Sequence, residues 1–164
     1  MHLYLMRHGI AYERHEWSGD DDSRPLTEEG IERTRAVAKA LLKDGRLDLA
    51  EVWSSPLLRA RQTAEIVAKI LKAPLKECAA MAPGASVAGL AKFFAKNRPP
   101  ERFMLVGHEP DTGALLRELQ HSKEAPSFKK AAVAHFSGDF RPGGMKLKWY
   151  LTPKDVLERL EGAT

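Results

Sequence analysis

Apolar residues along this chain follow two rhythms. The short unbroken runs "LYLM" (3–6), "AEVWSS" (50–55) and "RFMLVG" (102–107) suit strands buried on both faces. Between them, apolar positions recur every three to four residues, the period of an amphipathic helix. "LTEEG" opens the first helix. Thr27 is the expected N-cap, Glu28 and Glu29 stand in the first turn where the helix dipole favours acids, and Ile31, Thr34, Ala38, Leu41 and Leu42 supply the buried face. Ser55-Pro56 reads as the N-cap and first residue of a second helix, whose stripe is Leu57, Ala60, Ala64, Val67 and Leu71. A weaker strand is expected around Leu75 to Ala79, a helix around Ser86 to Lys96, and another starting at Pro110 with Leu115, Leu116 and Leu119 inside.

The last third changes character. "AAVAHF" (131–136) and "MKLKWYL" (145–151) read as strands joined by a Gly/Pro loop. The second alternates Met145, Leu147, Trp149 and Leu151 against Lys146, Lys148 and Tyr150, which predicts one buried face and one wet face. Lysines on the wet face suit the edge of a sheet. Leu157 and Leu160 would close the chain in a short helix. The fold class that follows is α/β: a three-layer sandwich, with a mostly parallel central sheet flanked by helices and an antiparallel C-terminal edge.

Composition narrows the setting. A chain of 164 residues is expected to form a single domain over 1–164. With 43% apolar and 29% charged residues, a disordered chain is excluded. No apolar run approaches the ~18 residues a membrane span needs. Arg7 and His8 occupy the place of a signal peptide's apolar stretch, and the one cysteine, Cys78, has no partner for an internal disulfide. A cytoplasmic, monomeric protein with no membrane association is the expectation. The formal net charge of +4 mildly favours anionic partners, but without a dense basic stripe no nucleic acid is expected. Lys123, Lys129, Lys130, Arg141, Lys146 and Lys148 thicken the basic C-terminal third, while Glu13, Glu16 and Asp20 to Asp22 make the loop at 13–24 acidic. The role of either segment stays open at this stage.

In an open α/β sheet, ligands bind beyond the carboxyl ends of the strands. The first strand ends at Arg7-His8, the second at Ser54-Ser55 with Arg59 one turn into the next helix, and the third at Gly107-His108. If these strands are parallel neighbours, two arginines and two histidines share one rim, with Glu109 the sole carboxylate at those positions. Such a rim expects an anion, with phosphate the natural candidate. At ~100° per residue, Arg59, Gln62 and Thr63 share a helix face while Arg61 lies about 200° from Arg59, so Arg59 is assigned inward and Arg61 to the surface. A histidine between guanidinium groups has its charged form disfavoured, leaving a neutral ring with a lone pair for attack on phosphorus. Arginines would stabilise the equatorial oxygens during in-line transfer. No metal or other cofactor is expected: the histidines lack a ligand spacing such as HExxH, and arginine neighbours repel a cation.

Three motifs in this order, "LMRHG", "SSPLLRARQTA" and "LVGHEP", resemble the histidine phosphatase superfamily, also called phosphoglycerate-mutase-like. Each alone is weak; together, each at a strand's carboxyl end, they are specific. The resemblance spans Leu3 to Leu119, and "RPLTEEG" (24–30) also resembles a stretch common in the family. It implies that His8 is the phosphorylated nucleophile, with the Gly9 backbone orienting its other ring nitrogen. Arg7, Arg59 and His108, with Gly9, would make the phosphate-binding pocket. The short chain and the "GHEP" form are most similar to the SixA-type phosphohistidine phosphatases of bacteria. This implies a partner phosphorylated on histidine, of the histidine-containing phosphotransfer type. Larger relatives carry an acidic proton donor between the second and third motifs, where this chain has "APLKECAAMAPGASVAGL" (73–90) with Glu77 as the one acid. A donor-free site favours a P–N bond, since a phosphorylated imidazole protonated on its other nitrogen leaves as a neutral ring. Glu13 or Glu109 remains open as an acid. A small-molecule phosphate ester as substrate, or a non-catalytic phosphate- or phosphoprotein-binding module, are the alternatives.

Overall fold

A computed structural model describes residues 1–161; the side chains of residues 160 and 161 fall outside the description, and with them the packing expected of Leu160. Six strands form one sheet: β1 (His2–Arg7), β2 (Glu51–Ser54), β3 (Leu75–Glu77), β4 (Arg102–Gly107), β5 (Val133–Gly138) and β6 (Met145–Leu151). Their order is β3-β2-β4-β1-β5-β6. The pairs β1–β4, β2–β4 and β2–β3 are parallel, whereas β5 runs antiparallel to both β1 and β6. The helices are α1 (Glu28–Lys43), α2 (Leu58–Leu71), α3 (Val87–Lys96), α4 (Asp111–Gln120) and the short α5 (Pro153–Val156), which continues into a π-helical turn over Leu157–Glu161.

The two core layers follow from strand periodicity. Leu3 and Leu5 of β1, with Phe103 and Leu105 of β4, face a cluster built on Val87, Leu90 and Phe94 of α3 and Leu115, Leu116 and Leu119 of α4. The intervening Tyr4, Met6, Met104 and Val106 face Val37 and Leu41 of α1, Ala60, Ala64 and Val67 of α2, and Val156 of α5. Successive residues of a strand point to opposite faces, so a strand buried on both must read as an unbroken apolar run. Helices on both faces make the α/β three-layer sandwich.

Element ends are set locally. Thr27 caps α1 by accepting from the Gly30 N–H at 3.0 Å, and Ser86 caps α3 by accepting from the Gly89 N–H at 3.0 Å. On α1, Thr34, Ala38 and Leu41 are buried as expected, but Ile31 is half-buried and Leu42 is exposed. The second helix begins at Leu58, with Leu57 as its N-cap, not at the expected Ser55-Pro56. The Ser55 hydroxyl is committed elsewhere, as described below. The largest departure lies in β6. A register shift opposite His135 and Phe136 pairs these consecutive residues with Trp149 and Leu147. This β-bulge reverses the strand's alternation. Met145 and Leu147 therefore pack with the α3/α4 layer, whereas Trp149 and Leu151 pack with the α1/α2 layer, so the single buried face expected of this strand is split between two. β6 is nonetheless an edge strand, as its lysines predicted.

Candidate active site

The parallel run β2-β4-β1 places three carboxyl ends side by side. His8 follows β1 and donates its backbone N–H to the Gly107 carbonyl at 3.0 Å, while the Ser55 N–H bonds the Val106 carbonyl at 3.0 Å. Arg7, His8, Arg59 and His108 consequently line one cavity of about 360 Å³. His8, Arg59 and His108 are 7%, 5% and 4% exposed. The two imidazole rings stand 5.3 Å apart, centroid to centroid. Gly9 is buried beside the cavity but is not part of its lining.

His8 is held by its neighbour. Its Nδ1 lies 2.7 Å from the Gly9 carbonyl, which accepts only if that nitrogen carries the proton. The lone pair is thereby assigned to Nε2. Gly9 is itself fixed by its N–H, which donates to Thr63 Oγ1 at 3.0 Å, and the Thr63 hydroxyl donates to the Arg59 carbonyl at 2.8 Å. A side chain at position 9 has no room, because its Cβ would come within 2.4 Å of Thr34 Oγ1. Burial lowers the His8 pKa to about 3. The Gly9 hydrogen bond opposes that shift, and His108, Arg59 and Arg7 add to it. The guanidinium groups anticipated from sequence as the cause act in the expected direction, but desolvation is the larger effect.

His108 is lowered to about 4, by burial first and then by Arg59. Its Nε2 lies 2.7 Å from Ser55 Oγ, and that oxygen also accepts from the Leu57 N–H at 3.2 Å. A Ser55 hydroxyl that donates to Nε2 leaves the His108 proton on Nδ1, the nitrogen turned away from Ser55. His108 Nδ1, Arg7 Nε and Arg59 Nε are buried without a protein partner among the described residues. These are donors of the kind an oxyanion satisfies. Arg7 is anchored by donating from Nη1 to the Phe128 carbonyl at 2.8 Å. The Ala131 N–H donates to both the Arg7 and His8 carbonyls at 3.1 Å. Residue 131, expected to begin a strand, instead forms the positive-φ turn that clasps the end of β1.

Asp21, from the acidic loop, reaches in to hold Arg59. Its carbonyl accepts from Nη1 at 2.8 Å and its Oδ2 from Nη2 at 3.1 Å. The same carboxylate bonds Arg24 at 3.1 Å and lies 3.6 Å from Arg14. The loop thus carries arginines into the lining as well as acids: Arg7, Arg14, Arg24, Arg59 and Lys130 stand there against Glu13 and Glu109. Glu109 Oε1 accepts from Thr112 Oγ1 and from the Gly113 N–H at 2.7 Å, which commits it to the first turn of α4. Glu13 pairs with Lys130 at 3.7 Å. Glu77 lines a different cavity, with Ser54, Arg61 and Lys76. Arg61 is exposed and pairs with Glu65 at 3.2 Å.

The sequence assigns no role in the site to Asp21, Ser55 or Phe128. Thr63 shares the Arg59 helix face in the sequence, and a hydroxyl one turn from an inward arginine is the signal for it. The signal for Asp21 is an acid run just before "RPL", beside a site rich in cations. No motif announced the carbonyl of Phe128.

The sequence profile of the histidine phosphatase superfamily (branch 1) matches residues 3–82. Over 158 residues, 93% of this chain and 94% of the relative, the sequence is 30% identical to phosphohistidine phosphatase SixA of Escherichia coli (strain K12). An uncharacterized protein of Picosynechococcus sp. is 44% identical over 140 residues, 81% of this chain and 82% of that protein. The solved structure of the protein histidine phosphatase SixA complexed with tungstate superposes with a TM-score of 0.81 at 27% identity, covering 95% of this chain and 99% of that one.

Proposed function

Since this chain belongs to the histidine phosphatase superfamily, we propose that it hydrolyses phosphohistidine on a protein through a covalent phospho-His8 intermediate. The observation that carries this reading is the state of His8. Burial lowers its pKa to about 3, its proton is tied to Gly9 through Nδ1, which leaves the lone pair on Nε2, and its ring lines a cavity walled by Arg7, Arg59 and His108.

The proton inventory favours a P–N substrate. In the first step Nε2 of His8 bonds to phosphorus as the substrate P–N bond breaks. A substrate imidazole already protonated on its distal nitrogen departs neutral, and no acid is called upon. In the second step water bonds to phosphorus and the His8–phosphorus bond breaks. Because Nδ1 kept its proton on Gly9, His8 also leaves as a neutral ring, with dihydrogen phosphate as product. Both steps balance without a donor or acceptor from the protein. An alkoxide leaving group would need a proton. Of the two lining carboxylates, Glu109 has Oε1 engaged by two donors and Glu13 is exposed and paired with Lys130. Arg7, Arg59 and His108 take the phosphate oxygens, where charge-assisted hydrogen bonds act in a partly desolvated pocket. The binding of tungstate by the SixA neighbour supports an oxyanion site here, and the relation to a phosphohistidine phosphatase supports the substrate class.

The test presents the enzyme with a histidine-phosphorylated phosphotransfer domain, small phosphoramidates and a panel of sugar and glycerate phosphates, with early quenching. Acid-labile, base-stable label on the wild-type enzyme and none on His8→Ala is the expected result. Label retained by His8→Ala would sink the covalent route, and faster turnover of a phosphate ester would move the substrate class to small molecules. EDTA is expected to leave the rate unchanged, since side chains supply the positive charge; strong inhibition would count against the mechanism.

A further inference from the structure

A second depression adjoins the reactive cavity. It is an open groove of about 590 Å³ that shares Arg7 and Lys130 with the cavity and draws its other cations from three separate segments. Arg33 comes from α1, Lys129 from the loop before β5, and Lys154 from α5. All three are exposed, and none makes an ion pair among the described residues. Glu29 is the single acid in the lining.

Three unpaired cations around one groove repel one another, and folding alone gives no reason to gather them. Their side chains are long, exposed and drawn from different elements, so they form no rigid cage for a small ion. They suit a broad surface of opposite charge, recognised at long range and through mobile contacts. Because the groove opens beside Arg7, whatever fills it lies next to the group whose phosphate is bound there.

We propose that this groove docks an acidic segment of the phosphohistidine-bearing protein, with carboxylates meeting Arg33, Lys129 and Lys154 while the phosphohistidine enters the His8 cavity. The assignment rests on the phosphohistidine-protein reading above and adds to it a recognition surface separate from the chemistry. None of the three side chains touches the reacting atoms. They act on encounter and ground-state binding, so their removal raises KM and leaves turnover of a small substrate intact.

The experiment compares the wild-type chain with the triple variant Arg33→Glu/Lys129→Glu/Lys154→Glu and its neutral counterpart carrying Gln at the same positions. Two substrates are used: a phosphotransfer domain phosphorylated on histidine and carrying an acidic surface around it, and phosphoramidate. Charge reversal is expected to lower kcat/KM on the protein about tenfold or more at low salt, mostly through KM. The Gln variant should lie between, and the steep fall of wild-type kcat/KM with added salt should flatten. Phosphoramidate hydrolysis should match wild type in both variants. Unchanged kinetics on the protein, or equal loss on both substrates that persists in the Gln variant, would overturn the docking groove alone. A wild-type enzyme that hydrolyses phosphoramidate yet leaves the phosphorylated domain intact would overturn the protein-substrate reading, and the groove's occupant with it. Single-stranded DNA competing more strongly than an acidic peptide would reassign the groove to nucleic acid.

Discussion

The reactive cavity has two walls of opposite construction. On the strand-end wall, His8, Arg59 and His108 are at most 7% exposed, and His8 and His108 are tied to a carbonyl and a hydroxyl of the sheet and helix framework. On the loop wall, Glu13, Arg14 and His15 are exposed, and residues 13–24 are joined by local capping hydrogen bonds and by ion pairs of the partly exposed Asp21 with Arg14 and Arg24. Packing fixes the first wall, and salt does not loosen it. Exposed ion pairs are each worth little and are screened by ions, so the second wall is the adjustable one. Substitutions in the strand-end wall should therefore change the chemical step, whereas those in the loop wall should change binding and its dependence on salt. Asp21 tests that division, because it sits on the loop and holds Arg59.

The largest effect is expected at His8. His8→Ala removes the nucleophile, and turnover should drop on the order of 10⁴-fold or more with no phosphoenzyme formed. Quench-flow labelling checks this; residual label would place the nucleophile elsewhere. Arg59→Lys comes next. A lysine keeps the charge but loses the fork that takes Asp21 through Nη1 and Nη2 and leaves a buried Nε donor unpartnered, so kcat should fall about 10²-fold or more. If Arg59→Lys raised KM alone, the strand-end wall would be doing binding work and the contrast with the loop would weaken.

That contrast also marks how far the sequence could be read. A strand buried on both faces has no freedom in its pattern, so β1 and β4 appear as apolar runs whose ends are visible, and His8 and His108 can be placed on one rim before any coordinates exist. Helical phase does the same for Arg59 against Arg61. Asp21 cannot be told from its acidic neighbours in sequence, because its partner lies 38 residues away and its loop has no period. Ser55 misleads for a related reason: a serine before proline looks like a helix cap, and only the neighbouring strand end shows its hydroxyl turned to His108. In β6 the lysine alternation was sound as far as Leu147, but an edge strand admits a bulge that no local pattern forbids. Trp149 and Leu151 consequently changed layers.

A smaller effect should appear in stability rather than rate. Burial holds the His8 pKa at about 3 against 6.5 for an unfolded chain. Between those values the unfolded state binds the proton that the folded state refuses, so stability falls as pH drops below 6.5 and the loss is complete near pH 3. His108, lowered to about 4, adds a loss in the same direction. His8→Gln removes the first contribution. Relative to wild type the variant should gain about 1.4 kcal/mol for each pH unit below 6.5, down to pH 3. Urea titrations at pH 7, 5.5 and 4.5 measure the difference; parallel lines for the two proteins would mean that His8 is solvated. The nucleophile would then be less well fixed than the strand-end wall requires.

The smallest predicted effect is the most discriminating. Asp21→Asn keeps the backbone carbonyl that binds Nη1 of Arg59 but replaces the charged acceptor of Nη2 with a neutral one. Hydrogen bonds to charged groups are worth ~1.5–3 kcal/mol. Part of that is retained by the amide oxygen, so kcat/KM should fall about tenfold. A positioning role predicts that the loss vanishes when Arg59 is already alanine, because Asp21 then has nothing to orient; a double-mutant cycle reads this coupling directly. The opposite result is equally informative. The Asp21 carboxylate sits on a guanidinium that would also receive phosphate, and if it competes with substrate, Asp21→Asn should lower KM and raise kcat/KM. That outcome would make Asp21 a placeholder for the phosphate rather than a brace. It would also make the loop, not the strand ends, the wall that decides when the site is open.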